Sequence, residues 1–302
     1  MTSEFNPKGI IMTATKKTIA IMSLMLLAAT LPLSGCSKNA VTGKSQLIFI
    51  PESQEIAMGL QAAPEVAAQF GGAVNDPTLQ AYVQMVGKRV SDVSDRKIPY
   101  SFLLLNSEVP NAFALPGGKI FVTAGLMSRM TNEQQLAAVL GHEIVHVAAQ
   151  HGVKSMQNGV GLAVLVEIAG AVAGADKAAA AKAASQIAAS MVSMKYSRSN
   201  EYDADKYGMK YITRAGYNPW GMPELLTILL NLSEKEPSSL EAMFSTHPLS
   251  SKRIAEAKAT IAADPLYKGY SPATPDPKTA QFLGMRKRLM WAATFKTPPQ
   301  PK

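Results

Sequence analysis

The recurrence of apolar positions divides the chain into helical stretches around one short strand-rich region. Helices are expected at 52–70 and 76–95; the second opens with Asp76-Pro77 and carries Leu79, Val83, Val86 and Val90 at helical spacing. Strand-like runs follow at 100–105, 112–115 and 119–123, the last two joined by Pro116-Gly117-Gly118. Leu136, Leu140, Ile144 and Val147 then give a helix over 131–152 one buried face, with Thr131 and Gln134 as its capping box and Gly152 as its exit. Another helix is expected over 197–216, with acids in its first turns, Lys210 and Arg214 near its end, and Gly216 and Asn218-Pro219 as the stop. The pattern predicts an α+β fold, mostly helical, with a small β-sheet next to the 131–152 helix.

The two ends read differently from this middle. Lys16 and Lys17 precede an apolar run at 19–31, and Leu33-Ser34-Gly35-Cys36 resembles the processing site of bacterial lipoproteins. Residues 1–35 are therefore expected to be a lipoprotein signal peptide, with translation starting at Met1 or Met12. Cys36 is the single cysteine of the chain, so a lipid explains it better than a disulfide. Residues 36–50 are expected to be a lipid-anchored tether, 51–264 the folded domain, and 265–302 a proline-rich extension with one helix at 278–291 and no chemistry of its own.

Composition narrows the function classes. The 302 residues are 47% hydrophobic and 17% charged, too little apolar content for a polytopic membrane protein. The net charge of +8 becomes +6 once residues 1–35 are removed with Glu4, Lys8, Lys16 and Lys17, a balance that suits a surface near anionic head groups. Its lysines and arginines form no basic run interleaved with aromatics, so nucleic acid is not an expected partner. The Ala- and Gly-rich stretch at 159–195 has an apolar part shorter than a membrane-spanning helix and holds Glu167 at its centre. It is expected to be a helical hairpin over a cleft or on a membrane surface.

The chemistry lies in His142-Glu143-Ile144-Val145-His146. On a helix His142 and His146 stand one turn apart on one side, a clamp for a metal ion. Glu143 lies just off that clamp, placed to take a proton from water on the metal, which is the HExxH arrangement of zinc peptidases. The whole chain has only four histidines, so a chance clustering of two here is improbable. A catalytic zinc takes a third protein ligand. His151 points to the opposite side of a continuous helix, and its spacing is one residue short of the metzincin pattern. It is expected to face the helix dipole in the last turn. Glu201 and Asp205, one turn apart on the 197–216 helix, supply instead a carboxylate ligand and a group that accepts a hydrogen bond from a ligand imidazole.

HEIVH, the later EYDAD, the NAFALPGGKIFVTAGL hairpin and STHPLSSKRI together resemble the HtpX-type and CAAX-prenyl-endopeptidase-type zinc metallopeptidases, in particular soluble lipoprotein members of bacterial envelopes. The resemblance covers roughly residues 50–260 and implies a gluzincin fold and an endopeptidase, often one of envelope protein quality control. His247 matches the family's histidine–proline element, and three roles fit it: a structural loop histidine, an oxyanion donor, or a fourth zinc ligand of a latent state.

The reading from sequence is thus one zinc per chain on His142, His146 and Glu201, with Glu143 as general base and acid and His247 assisting. Asn111, Ala112, Phe113 and Ala114 are expected to hold an extended polypeptide by β-augmentation. Expected partners are polypeptide substrates, the membrane through lipid on Cys36, and other envelope proteins. The expected place is the periplasmic side of the envelope, at the outer membrane, since Ser37 is not an aspartate. The competing reading is an envelope chaperone or assembly factor with a latent or structural zinc site.

Overall fold

The computed structural model describes residues 36–159, 167, 168, 170–172, 174, 176–235, 238 and 241–292. The expected signal peptide, the last ten residues and most of the apolar part of the 159–195 stretch lie outside the described residues. Among the described residues no helix is long and apolar enough to cross a membrane.

A short antiparallel hairpin, β1 (Cys36–Lys38) and β2 (Ser45–Leu47), comes first. It is followed by α1 (Glu52–Gln69) and α2 (Pro77–Ser91). The Asp76 carboxylate accepts the N–H groups of Thr78 and Leu79 and so caps α2, with Pro77 in the first helical position. Strands β3 (Ser101–Leu105), β4 (Ala112–Leu115) and β5 (Lys119–Thr123) form one sheet in the order β3-β5-β4. The pair β3 and β5 is parallel and β4 and β5 antiparallel, which leaves β4 at an edge. Then come α3 (Ala124–Arg129), α4 (Glu133–Ala148), α5 (His151–Gly159), α6 (Lys177–Ser193), α7 (Arg198–Arg214), α8 (Gly221–Lys235), α9 (Glu241–Thr246), α10 (Ser251–Ala263) and α11 (Thr279–Ala292). The mostly helical α+β class expected from the periodicity is the fold observed.

Helix α4 differs from the expectation in three ways. All of its residues are buried, so it is a central helix rather than an amphipathic one with a single covered face. Helices α2, α7 and α8 and the strand β4 all pack against it. Its N-cap is Asn132, whose side chain accepts the N–H of Gln135, and not Thr131. Gln135 turns back to accept the Thr131 N–H, so the capping box is displaced by one residue. The helix ends at Ala148 rather than near Gly152, because Gln150 adopts φ 56° and breaks it. A non-glycine residue in that region needs external support. The Gln150 amide has it, donating to Glu55 Oε2 at 2.9 Å and accepting from Gln46 Nε2 at 2.8 Å.

The crossing of α4 and α7 is close because two glycines meet there. A Cβ on Gly141 would stand 2.9 Å from Ile212 Cγ2, and one on Gly208 would stand 3.2 Å from the His142 backbone nitrogen. Larger residues at either point would push apart the helices that carry the histidines and the acids.

Both terminal regions pack onto this body. Residues 36–50, expected as a tether, fold against the end of α4: Asn39 Nδ2 donates to Ala149 O at 2.9 Å, and Ile48 and Ile50 are buried. At the other end α11 buries Phe282 and Leu289 completely in the main core. Asp276 Oδ2 accepts the N–H groups of Glu133 and Gln134 at 3.0 and 3.1 Å, occupying free donors of the first turn of α4.

Candidate metal centre

His142 and His146 project from the same side of α4. Their Nε2 atoms are 3.0 Å apart. Helix α7, capped by the Ser197 hydroxyl, brings Glu201 opposite them, with Oε1 at 3.3 Å from His146 Nε2 and Oε2 at 3.6 Å from His142 Nε2. His247, just after α9, puts Nδ1 at 3.0 Å from Glu201 Oε1. One ligand atom from each of these four buried residues lies within 4.8 Å of the others. Of the expected metal residues, His142, His146 and Glu201 are brought together, and His247 stands within the same group.

These atoms make a poor packing arrangement and a good metal-binding one. Two imidazole nitrogens 3.0 Å apart cannot both carry a proton toward each other. Burial disfavours a charge on His142, but hydrogen bonding to Asp205 and Glu201 lifts its pKa to about 10. Burial pushes His146 well below the ordinary histidine value, despite its contact with Glu201. Burial also opposes ionisation of Glu201, yet His247, His142 and His146 hold it well below the usual carboxylate range. A cation that accepts two neutral imidazoles and a carboxylate resolves this crowding, so the donor set fits a metal ion.

Glu143 is adjacent and 2% exposed. Burial raises its pKa, and its Oε2 has no hydrogen-bond partner among the described residues. His247 Nε2, likewise unpartnered, is 3.8 Å from Glu143 Oε1. A buried carboxylate and imidazole with unpartnered atoms next to the candidate metal residues can exchange protons with a molecule placed between them.

Asp205 Oδ1 is 3.0 Å from His142 Nδ1, on the side of the ring away from the other donors. Arg253 holds that carboxylate through Nε and Nη2, both at 2.7 Å. Its Nη1 also lies 2.6 Å from Glu201 Oε2. Sequence reading missed Tyr196, whose ring lies against that of His146 with centroids 3.9 Å apart. It also misread His151. That residue opens α5 instead of closing α4, and its Nδ1 is 3.2 Å from His146 Nδ1.

Of the expected substrate-holding residues, Asn111 spends its main chain on β5, its O accepting the Thr123 N–H at 3.0 Å and its N–H donating to Thr123 Oγ1. Antiparallel alternation directs Phe113 to β5 as well, leaving the main-chain groups of Ala112 and Ala114 toward the free edge. The Phe113 ring packs instead between Phe70 and Phe121. Ala114 and Leu115 line a small cavity together with His146 and Tyr196, so this edge runs beside the metal centre. Cys36 begins β1 and pairs with Leu47.

Comparison with known proteins shows which family the chain resembles. The family model described as Peptidase family M48 matches residues 77–261, more than half of the chain and all of the centre just described. A beta-barrel assembly-enhancing protease of Escherichia coli K12 is 32% identical over 192 residues, covering 61% of this chain and 39% of the relative. The mitochondrial metalloendopeptidase OMA1 of Schizosaccharomyces pombe is 31% identical over 210 residues, 66% of this chain and 59% of its own. The metalloprotease LoiP of Escherichia coli K12 is 30% identical over 166 residues, 55% and 64% of the two chains. The chain spans about two fifths of the length of the beta-barrel assembly-enhancing proteases it matches. With the family match spanning both the HExxH helix and the downstream glutamate, the chain belongs to peptidase family M48.

Proposed function

We propose that the protein is a zinc-dependent endopeptidase of a bacterial cell envelope. The observation that carries this reading is the convergence of His142, His146, Glu201 and His247 beside a buried, partly unpartnered Glu143. His142, His146 and Glu201 would hold the ion. Bound there, zinc supplies a Lewis acid for the scissile carbonyl and lowers the pKa of water at the site to about 7.

The chain's own groups do the rest. Glu143 takes the proton from the attacking water and delivers it to the leaving amine; its raised pKa suits a group that must both accept and release a proton. An extended polypeptide adds to the edge of β4 through the main-chain groups of Ala112 and Ala114, which the pairing with β5 leaves on the outer side. Arg253 neutralises Asp205 and Glu201, and Asp205 orients His142. His247 either donates to the oxyanion or closes the centre as a fourth ligand in a resting state.

Location and substrates extend the same reading. Residues 1–35 act as a signal peptide, and lipid on Cys36 holds the protein on the periplasmic side of the outer membrane, with Ser37 in place of a retention aspartate. Misfolded or unassembled envelope proteins are the proposed substrates, a reading supported by the name of the beta-barrel assembly-enhancing relatives. A client-binding chaperone with a structural zinc is less well supported, because such a site has no use for a buried general base. The test uses the 37–302 form with casein as substrate. One zinc per chain, loss of cleavage on chelation and its return with zinc support the peptidase; zinc without cleavage, including in His247→Ala, moves the weight to client binding. Increased cleavage by His247→Ala identifies the resting-state ligand, and a loss at unchanged zinc content and melting temperature identifies the oxyanion donor.

A further inference from the structure

The turn at Gln150 places a second imidazole behind the metal centre. In an unbroken helix, residue 151 would lie about 140° around the axis from His146. The left-handed Gln150 ends α4 and starts α5 in a new direction, which brings the two Nδ1 atoms to 3.2 Å. His151 is 4% exposed, and the two rings meet edge to face with centroids 5.1 Å apart.

The inward nitrogen of His146 is Nε2, as its distances to His142 Nε2 and Glu201 Oε1 show. A neutral imidazole that gives its Nε2 lone pair to a metal carries its proton on Nδ1. That N–H is buried and needs an acceptor. Among the described residues the hydrogen-bond partner of His146 Nδ1 is His151 Nδ1. We propose that His151 is a positioning residue for the metal, its Nδ1 accepting the His146 Nδ1–H and fixing the tautomer and ring angle in which His146 presents Nε2 to the ion.

This assignment rests on the metal centre of the proposed peptidase and adds to it a residue outside the ligand set. It requires His151 to be neutral, with its own proton on Nε2. It also explains why a glutamine holds the strained turn: both ends of its side chain are anchored, to Glu55 and to Gln46, so the position of His151 is fixed from outside the site. The arrangement parallels the one on His142, where Asp205 takes the same place behind Nδ1.

The test measures zinc affinity of the full mature protein by competition with a chromophoric chelator, for wild type, His151→Leu and His151→Asn. Leucine keeps an apolar side chain and removes the acceptor; asparagine can offer its Oδ1 near the position of the lost Nδ1. The expected result is zinc affinity about 10- to 100-fold weaker for His151→Leu and close to wild type for His151→Asn, with metal-free melting temperatures similar in all three. Equal zinc affinity of the leucine variant and wild type would overturn the assignment and leave His151 as packing. Should the leucine variant not fold, nitrogen NMR of the zinc-loaded wild type decides: the assignment requires His146 as the Nδ1–H tautomer and His151 as the Nε2–H tautomer, and the reverse pattern contradicts it. A wild type that binds no zinc sinks the peptidase reading and this assignment together, whereas a zinc-loaded wild type with an unaffected leucine variant sinks the assignment alone.

Discussion

The two histidines of α4 are supported in opposite ways. Behind His142 stands an ionic group, the Asp205 carboxylate gripped by the Arg253 guanidinium, which also reaches Glu201. Around His146 stand two aromatic side chains, the Tyr196 ring against its face and His151 behind its Nδ1. A carboxylate makes its imidazole more basic and a stronger ligand, but three buried charged groups must remain balanced for the arrangement to be stable. The aromatic support asks for no charge balance and contributes mainly through shape and one neutral hydrogen bond. A ligand ring can be oriented by either route, with different consequences when the support is broken.

The largest effect is expected on the ionic side. Replacing Arg253 by Leu removes the guanidinium that both buried carboxylates, Asp205 and Glu201, pair with, which should destabilise the metal-free protein by about 3–5 kcal/mol in urea denaturation. Asp205→Ala removes a charged partner of His142, and zinc affinity should fall about 100-fold, more than for the neutral acceptor behind His146. Tyr196→Leu keeps an apolar side chain against His146 but loses the ring contact; the expected cost is about 1 kcal/mol in the same denaturation measurement. The smallest effect sharpens the contrast from outside the centre. Asp276→Ala frees two N–H groups at the start of α4 and should cost about 1 kcal/mol or less, with zinc affinity unchanged.

What the sequence revealed follows the same division. His142, Glu143, His146, Glu201 and Asp205 were legible because each pair sits on one helix at a spacing of one turn or one residue, and helical geometry alone puts their side chains together. The edge position of β4 was only half legible. The hairpin turn is written in Pro116-Gly117-Gly118, but the parallel pairing of β3 with β5 depends on a contact between distant segments. His151 was misread because the break at Gln150 carries no glycine or proline signal; it is imposed by Glu55 and Gln46, 95 and 104 residues away in sequence. Tyr196 and Asp276 likewise come from tertiary packing, as does the complete burial of α4. The capping box was misplaced by one residue for a local reason, since Asn132 caps as well as Thr131 and sits nearer the helix.

In the proposed reaction Glu143 acts as base and acid beside a zinc held by His142, His146 and Glu201. The most direct test of this role is casein hydrolysis by Glu143→Gln compared with wild type at equal zinc occupancy. Both proteins are expected to hold full zinc, with cleavage reduced by at least about a hundredfold in the variant. Undiminished cleavage by a zinc-loaded Glu143→Gln protein would contradict this role.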